Sequence, residues 1–142
     1  MTETLVTKLS KRECFTLSEL DTVKTVSEKL QKHNVGAMPV LSKQNNEIIG
    51  IVSERDLARF IFQDKFNNEL PVTKIMTQQI ITCNLDTSVT ELMEIVSHKK
   101  IRHIPIVDGK KILGIVSIGD VINHIIEQYK EENKQLKDYI KL

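Results

Sequence analysis

Apolar residues recur along this chain with two periods, and the two alternate in a fixed order. Val23, Val26 and Leu30 fall at i, i+3 and i+7, and Val89, Leu92, Met93 and Val96 lay down a similar face later, so each set predicts an amphipathic helix. Behind the first helix come a β-rich run from Val35 to Leu41, a polar loop rich in Asn and Lys, and a second run from Ile48 to Val52. Behind the second come Ile101 to Val107, a turn at Asp108-Gly109, and Ile112 to Val116. Ser53 and Ser117 stand where a further helix would begin after each second strand. Short strands at Phe15-Thr16 and Ile81-Thr82, and small leading helices over Val6 to Leu9 and Val72 to Met76, complete two similar units.

The two patterns are a repeat in sequence as well as in period. Val6-Thr7-Lys8 returns as Val72-Thr73-Lys74 and Pro39 as Pro105, both 66 residues on. Gly50-Ile51-Val52-Ser53 with Asp56 returns as Gly114-Ile115-Val116-Ser117 with Asp120, 64 residues on, because the second copy has the shorter loop. Duplication predicts an α+β fold of two pseudo-two-fold units, each roughly β-α-β-β-α, with a crevice between equivalent edges. The boundaries fall at 1–66, 67–126 and a helical extension at 127–142. From Val121 the last helix can run to the chain end, with Ile122, Ile125, Ile126, Tyr129, Leu136 and Ile140 near one stripe. That stripe fits either a partner helix or a solvated tail on the same subunit.

Composition narrows the function. At 142 residues and 40% hydrophobic, the chain can bury one core, and half-chains of about 65 residues would be marginal alone, so the halves should share an interface. Twenty basic and nineteen acidic residues leave a net charge of +1, which supplies no global field for nucleic acid or membrane. With aromatics at 4%, the short basic run from Lys99 to His103 is a poor nucleic-acid platform. Cys14 and Cys83 form no Cys-x-x-Cys pair and read as buried thiols in a reducing cytoplasm. No apolar stretch reaches the length of a membrane span. The four histidines lack metal-ligand spacing, and no nucleophile elbow or Gly-rich phosphate loop occurs, so neither a metal site nor an enzyme is expected.

The chemistry concentrates at the repeated Ser-x-x-Asp corner. A helix entrance exposes backbone donors and partial positive charge, which suits phosphate, and Ser53 or Ser117 can add a hydroxyl. One turn on, Asp56 or Asp120 can accept from two vicinal hydroxyls of a ribose. The same Ser and Asp also fit a capping box that needs no ligand, and spacing alone leaves both open.

Ala37-Met38-Pro39-Val40, Ile104-Pro105-Ile106-Val107-Asp108 and the two Gly-Ile-Val-Ser-x-x-Asp runs together resemble the CBS domain. Two in tandem form a Bateman module, and the runs Ile51 to Asp56 and Lys99 to Pro105 look closest to bacterial stand-alone pairs that carry no catalytic domain. The resemblance covers essentially the whole chain. It implies an adenosine ligand, AMP, ADP, ATP, S-adenosylmethionine or NAD, in the crevice between the units, although some members bind none. It favours ribose binding at Asp56 and Asp120, and phosphate binding at Ser53, Arg55, Ser117, Arg102, His103, Lys11 and Thr77. Lys11 and Thr77, with Thr16 and Thr82, would stand at the crevice rim. An adenine slot would draw on Val35, Gly36, Met38, Ile51, Ile81, Ile101 and Ile115. Because the first copy has Gly36-Ala37 where the second has Arg102-His103, the Ser117–Asp120 corner is expected to be the stronger phosphate site. A homodimer and an unidentified protein target follow from the same resemblance, with a ligand-free scaffold as the alternative.

Overall fold

The computed structural model describes residues 3–63 and 67–141. In chain order the elements are α1 (Leu5–Ser10), β1 (Leu17–Ser18), α2 (Val23–His33), β2 (Ala37–Leu41), β3 (Ile48–Ser53) and α3 (Glu54–Phe62), then a 3-10 turn (Val72–Lys74), α4 (Val89–Lys99), β4 (His103–Asp108), β5 (Lys111–Ser117) and α5 (Ile118–Ile140).

The two predicted stripe helices form where expected. Thr22 caps α2 and Ser88 caps α4 through their side-chain oxygens, and both helices end on a left-handed residue, Asn34 and Lys100. Val23, Val26 and Leu30 are buried. In α4 only Leu92 is fully buried, and Met93, expected on the same face, is exposed.

Each copy contributes an antiparallel hairpin in the same register, with Pro39 opposite Ile51 and Pro105 opposite Ile115. The short pairing strand of the first copy is Leu17–Ser18, two residues later than its sequence signal, and it joins β2 in parallel. In the second copy Ile81-Thr82 forms no strand, and a single parallel bridge between Cys83 and Ile106 takes its place. Burial explains both shifts: Leu17 and Cys83 turn into the cores and fix the pairing.

The leading segments are exchanged between the copies. Leu5, Val6 and Leu9 of α1 belong to the core of the second copy, with Leu92, Ile104, Ile106, Val116 and Val121. Val72, with Ile75 and Met76 beside it, fills the core of the first copy against Leu17, Val26, Leu30, Met38, Val40 and Val52. Glycines let these arms cross their strands closely. A Cβ on Gly50 would lie 2.5 Å from Met76 Sδ and 3.0 Å from the Thr77 carbonyl oxygen, and one on Gly114 would lie 3.3 Å from the Leu9 carbonyl oxygen. Thr77 and Ile51 then exchange both backbone hydrogen bonds, at 2.8 and 3.0 Å.

The final helix begins at the Ser117 cap and runs 23 residues, with only Val121 buried. Ile122, Ile126, Tyr129, Leu136, Tyr139 and Ile140 are all exposed along it. Among the described residues no helix is long and apolar enough to cross a membrane.

Candidate functional site

Two cavities lie in the crevice, and each combines the Ser-x-x-Asp corner of one copy with the strand approach of the other. The first, about 260 Å³, joins Ile51, Ser53, Arg55, Asp56 and Arg59 to Thr77, Gln79, Ile80 and Ile81, and to Lys100, Ile101, Arg102 and His103. The second, about 440 Å³, joins Ile115, Ser117 and Asp120 to Arg12, Cys14 and Phe15, and to Asn34 and Val35. Gly36, Ala37 and His103 border both.

The local sequence sets both corners in the same way. Ser53 Oγ accepts from the Asp56 amide at 3.4 Å, and Asp56 Oδ2 accepts from the Ser53 amide at 2.8 Å and from its hydroxyl at 3.1 Å. Ser117 and Asp120 repeat the box at 3.1 and 2.8 Å. The capping geometry is therefore present in full at both entrances. The first amides of α3 and α5 are also committed: Glu54 donates to the Gly36 carbonyl at 3.0 Å and Ile118 to the Arg102 carbonyl at 2.8 Å. Part of the donor capacity available to an anion is thus spent on the protein's own loops.

The aspartates differ in what holds their remaining oxygen. Asp56 is 7% exposed, and Arg59 of the same helix approaches Oδ1 at 3.4 Å. Arg12 instead forks onto Asp120, Nη1 to Oδ1 at 3.0 Å and Nη2 to Oδ2 at 2.7 Å, and Nη2 also donates to the Ile115 carbonyl at 2.7 Å. Partial burial pushes the Asp120 carboxyl up, but the hydrogen bonds from Arg12 and from Ser117 outweigh it and hold the group below its ordinary value. The guanidinium is correspondingly raised by its bond to Asp120.

His103 separates the cavities. A Cβ on Gly36 would sit 3.1 Å from His103 Nε2, so the glycine makes room for the imidazole to lie against the backbone. Burial lowers the His103 pKa against the pull of Glu54 and Asp120, and Arg102 adds to the lowering, so the neutral ring is favoured. Phe15, on the wall of the second cavity, stacks on His33 with ring centroids 3.7 Å apart. Burial raises the Cys14 thiol, partly offset by Arg12, and raises that of Cys83 to about 11, which leaves Cys83 a core thiol.

Ten sequence-identified residues, Gly36, Ile51, Ser53, Arg55, Asp56, Thr77, Ile81, Ile101, Arg102 and His103, converge on the first cavity. Val35, Ile115, Ser117 and Asp120 line the second. Four residues lie elsewhere than the sequence suggested. Arg102 joins the Ser53–Asp56 corner rather than Ser117–Asp120, because each pocket draws its strand approach from the opposite copy; of the expected pair only His103 reaches the second cavity. Met38 points into the first core and lines neither pocket. Lys11 pairs with Glu3, and Thr16 borders a separate surface hollow beside Leu41 and Asn45. Arg12, Arg59 and Gln79 were not singled out by the sequence. Arg12 escapes repeat logic because its counterpart 66 residues on is Gln78, a residue of different chemistry.

A family model described as the CBS domain matches residues 6–63 and 72–127. A mitochondrial CBS domain-containing protein of Arabidopsis thaliana is 36% identical over 124 residues, which cover 84% of this chain and 60% of that protein. The chain therefore spans less than two thirds of that relative's length. Among solved structures, a CBS domain protein from Pyrobaculum aerophilum complexed with AMP superposes with a TM-score of 0.74 at 29% identity, covering 84% of this chain and 89% of that one. A CBS-domain containing protein from Agrobacterium tumefaciens gives 0.73 at 28%, covering 80% and 90%. Two matched segments with equivalent hairpins and equivalent helix entrances make this chain a member of the CBS-domain family, built as a tandem pair.

Proposed function

We propose that this protein is a regulatory module, not an enzyme, that binds an AMP-like adenosine nucleotide between its two CBS units and reports that state to a protein target. The observation that carries the reading is the make-up of the first cavity. Ile51, Ile81 and Ile101 supply an apolar wall, Asp56 stands beside it, and Arg55, Arg59, Lys100 and Arg102 supply positive charge at its border. A base, a ribose and a phosphate need these three environments in one place. The AMP complex of the Pyrobaculum aerophilum relative supports the ligand class.

NAD, the alternative ligand, would have to extend past His103 into the second cavity. Regulation then requires only that the ligand bind one relative geometry of the halves more tightly than another. The competing reading is a homodimeric scaffold with vestigial pockets, favoured by the occupied Asp120 carboxylate and by the exposed apolar stripe of α5.

Calorimetric titration with AMP, ATP, NAD and S-adenosylmethionine separates the two. The sensor reading expects a micromolar complex, about −8 kcal/mol, with at least one of them. The absence of binding to all four at millimolar concentration leaves the scaffold.

A further inference from the structure

The two helix entrances are alike in sequence, yet only one has its carboxylate forked by an arginine from outside its own helix. Arg12 lies at the end of the α1 arm, 108 residues from Asp120, and presents two parallel N–H donors to the two carboxylate oxygens. Two vicinal ribose hydroxyls would present the same pattern to the same oxygens. A third bond, to the Ile115 carbonyl at 2.7 Å, fixes the guanidinium across the apolar wall of the second cavity. In the first copy the corresponding arm residue, Gln78, does not line the cavity, and beyond its own Ser53 cap Asp56 meets one longer arginine contact, from Arg59 of its own helix at 3.4 Å.

We infer that Arg12 acts as a built-in substitute for a nucleoside at the Ser117–Asp120 cavity, and so determines that the chain takes up one adenosine nucleotide, at the Ser53–Asp56 cavity, rather than two. This rests on the adenosine-binding reading proposed above. A nucleotide entering the second cavity must first displace a charge-assisted fork, which lowers its apparent affinity about tenfold to a hundredfold. The second cavity stays roomy with Arg12 in place, at about 440 Å³, so what Arg12 withholds is the Asp120 carboxylate rather than the space. Its side chain is 48% exposed, so its removal frees that carboxylate without emptying a core.

The test is calorimetric titration of AMP into the wild-type chain, Arg12→Gln, Arg102→Ala and the double variant, each first checked for an intact melting transition. Wild type is expected to bind one AMP per chain, and Arg12→Gln two, the added site being tenfold or more tighter than any second site in wild type. Arg102→Ala should weaken the single wild-type event, whereas the double variant should keep the added one. Two equal sites in wild type, one site in both wild type and Arg12→Gln, or loss of the added site in the double variant each overturn the role of Arg12. The first two of these outcomes leave the nucleotide reading standing. If wild type binds nothing while Arg12→Gln binds one AMP, the open first site is wrong and the Arg12 substitution for ligand is supported. No binding by either variant sinks both.

Discussion

Exchange of the leading segments predicts that damage to one core is felt in both. Val72 belongs by sequence to the second copy, is 0% exposed, and completes the core of the first. Val72→Ala removes two buried methyl groups, about 0.8 kcal/mol each by transfer alone, and with the cavity left behind the loss comes to about 2–3 kcal/mol. For a chain of this length the unfolding entropy is about 0.3 kcal/mol/K, so the melting temperature should fall by about 6–10 °C. The informative assay is native-state hydrogen exchange on the slowest amides of each hairpin. If the crossed arms bind the halves into one cooperative unit, the β4–β5 amides lose the same protection as β2–β3, although Val72 lies in the other core. Val6→Ala, at 1% exposure in the second core, should do the reverse and lower β2–β3 to the same degree as β4–β5. Protection that falls in one hairpin and stays unchanged in the other would refute the interlocking.

Gly50→Ala should cost about 1–3 kcal/mol, because Met76 can swing aside but the Thr77 carbonyl, 3.0 Å from the new Cβ, is held by Ile51; a melting temperature within 1 °C or so of wild type would refute this. His103 has a depressed pKa in the folded state, so its contribution to stability is complete above the ordinary value of about 6.5 and is lost as pH falls from there toward the depressed value. His103→Gln should therefore flatten the loss of stability between pH 7 and 5.5, and an unchanged slope would count against it. Asp120 titrates below its ordinary value, so its contribution is present above about pH 4 and disappears as pH falls through the folded value; Arg12→Gln should shrink that acid-side loss in urea melts.

Much of this architecture could be read from the chain. Periodicity located α2, α4 and both hairpins, because buried valines, leucines and isoleucines at helix and strand spacing leave few other solutions. The corners were legible because Ser-x-x-Asp before an apolar helix satisfies its own backbone. The misplacement of Arg102 has a topological cause. A repeat reveals which positions are equivalent, but not whether a segment completes its own unit or the other one. Arg102 was therefore assigned to the corner of its own copy, whereas the crossed geometry places it opposite Ser53. Met38 was one of several apolar candidates for the slot, yet its side chain packs into the first core with Val40 and Val52, while its neighbour Ala37 borders the cavities. Arg12 is where the repeat breaks, its counterpart being Gln78, so equivalence between the copies could not point to it.

The arms also explain how a pocket could be coupled to the rest of the molecule. Within ten residues the second arm plugs the first core with Val72, bonds the strand at Ile51 through Thr77, and lines the first cavity with Ile80 and Ile81. The first arm plugs the second core with Val6 and Leu9, holds Asp120 through Arg12, and lines the second cavity with Phe15. Whatever fills a pocket must therefore fit against a segment anchored in a core, and such packed elements shift as units rather than deform continuously. The two corners differ in what lies beyond them. Behind Ser53 is a helix of nine residues; behind Ser117 is one of 23, about 34 Å long at 1.5 Å per residue, ending in the exposed stripe of Tyr129, Leu136, Tyr139 and Ile140. A small tilt at the Ser117 corner is magnified along that length, whereas the same tilt at Ser53 stays local.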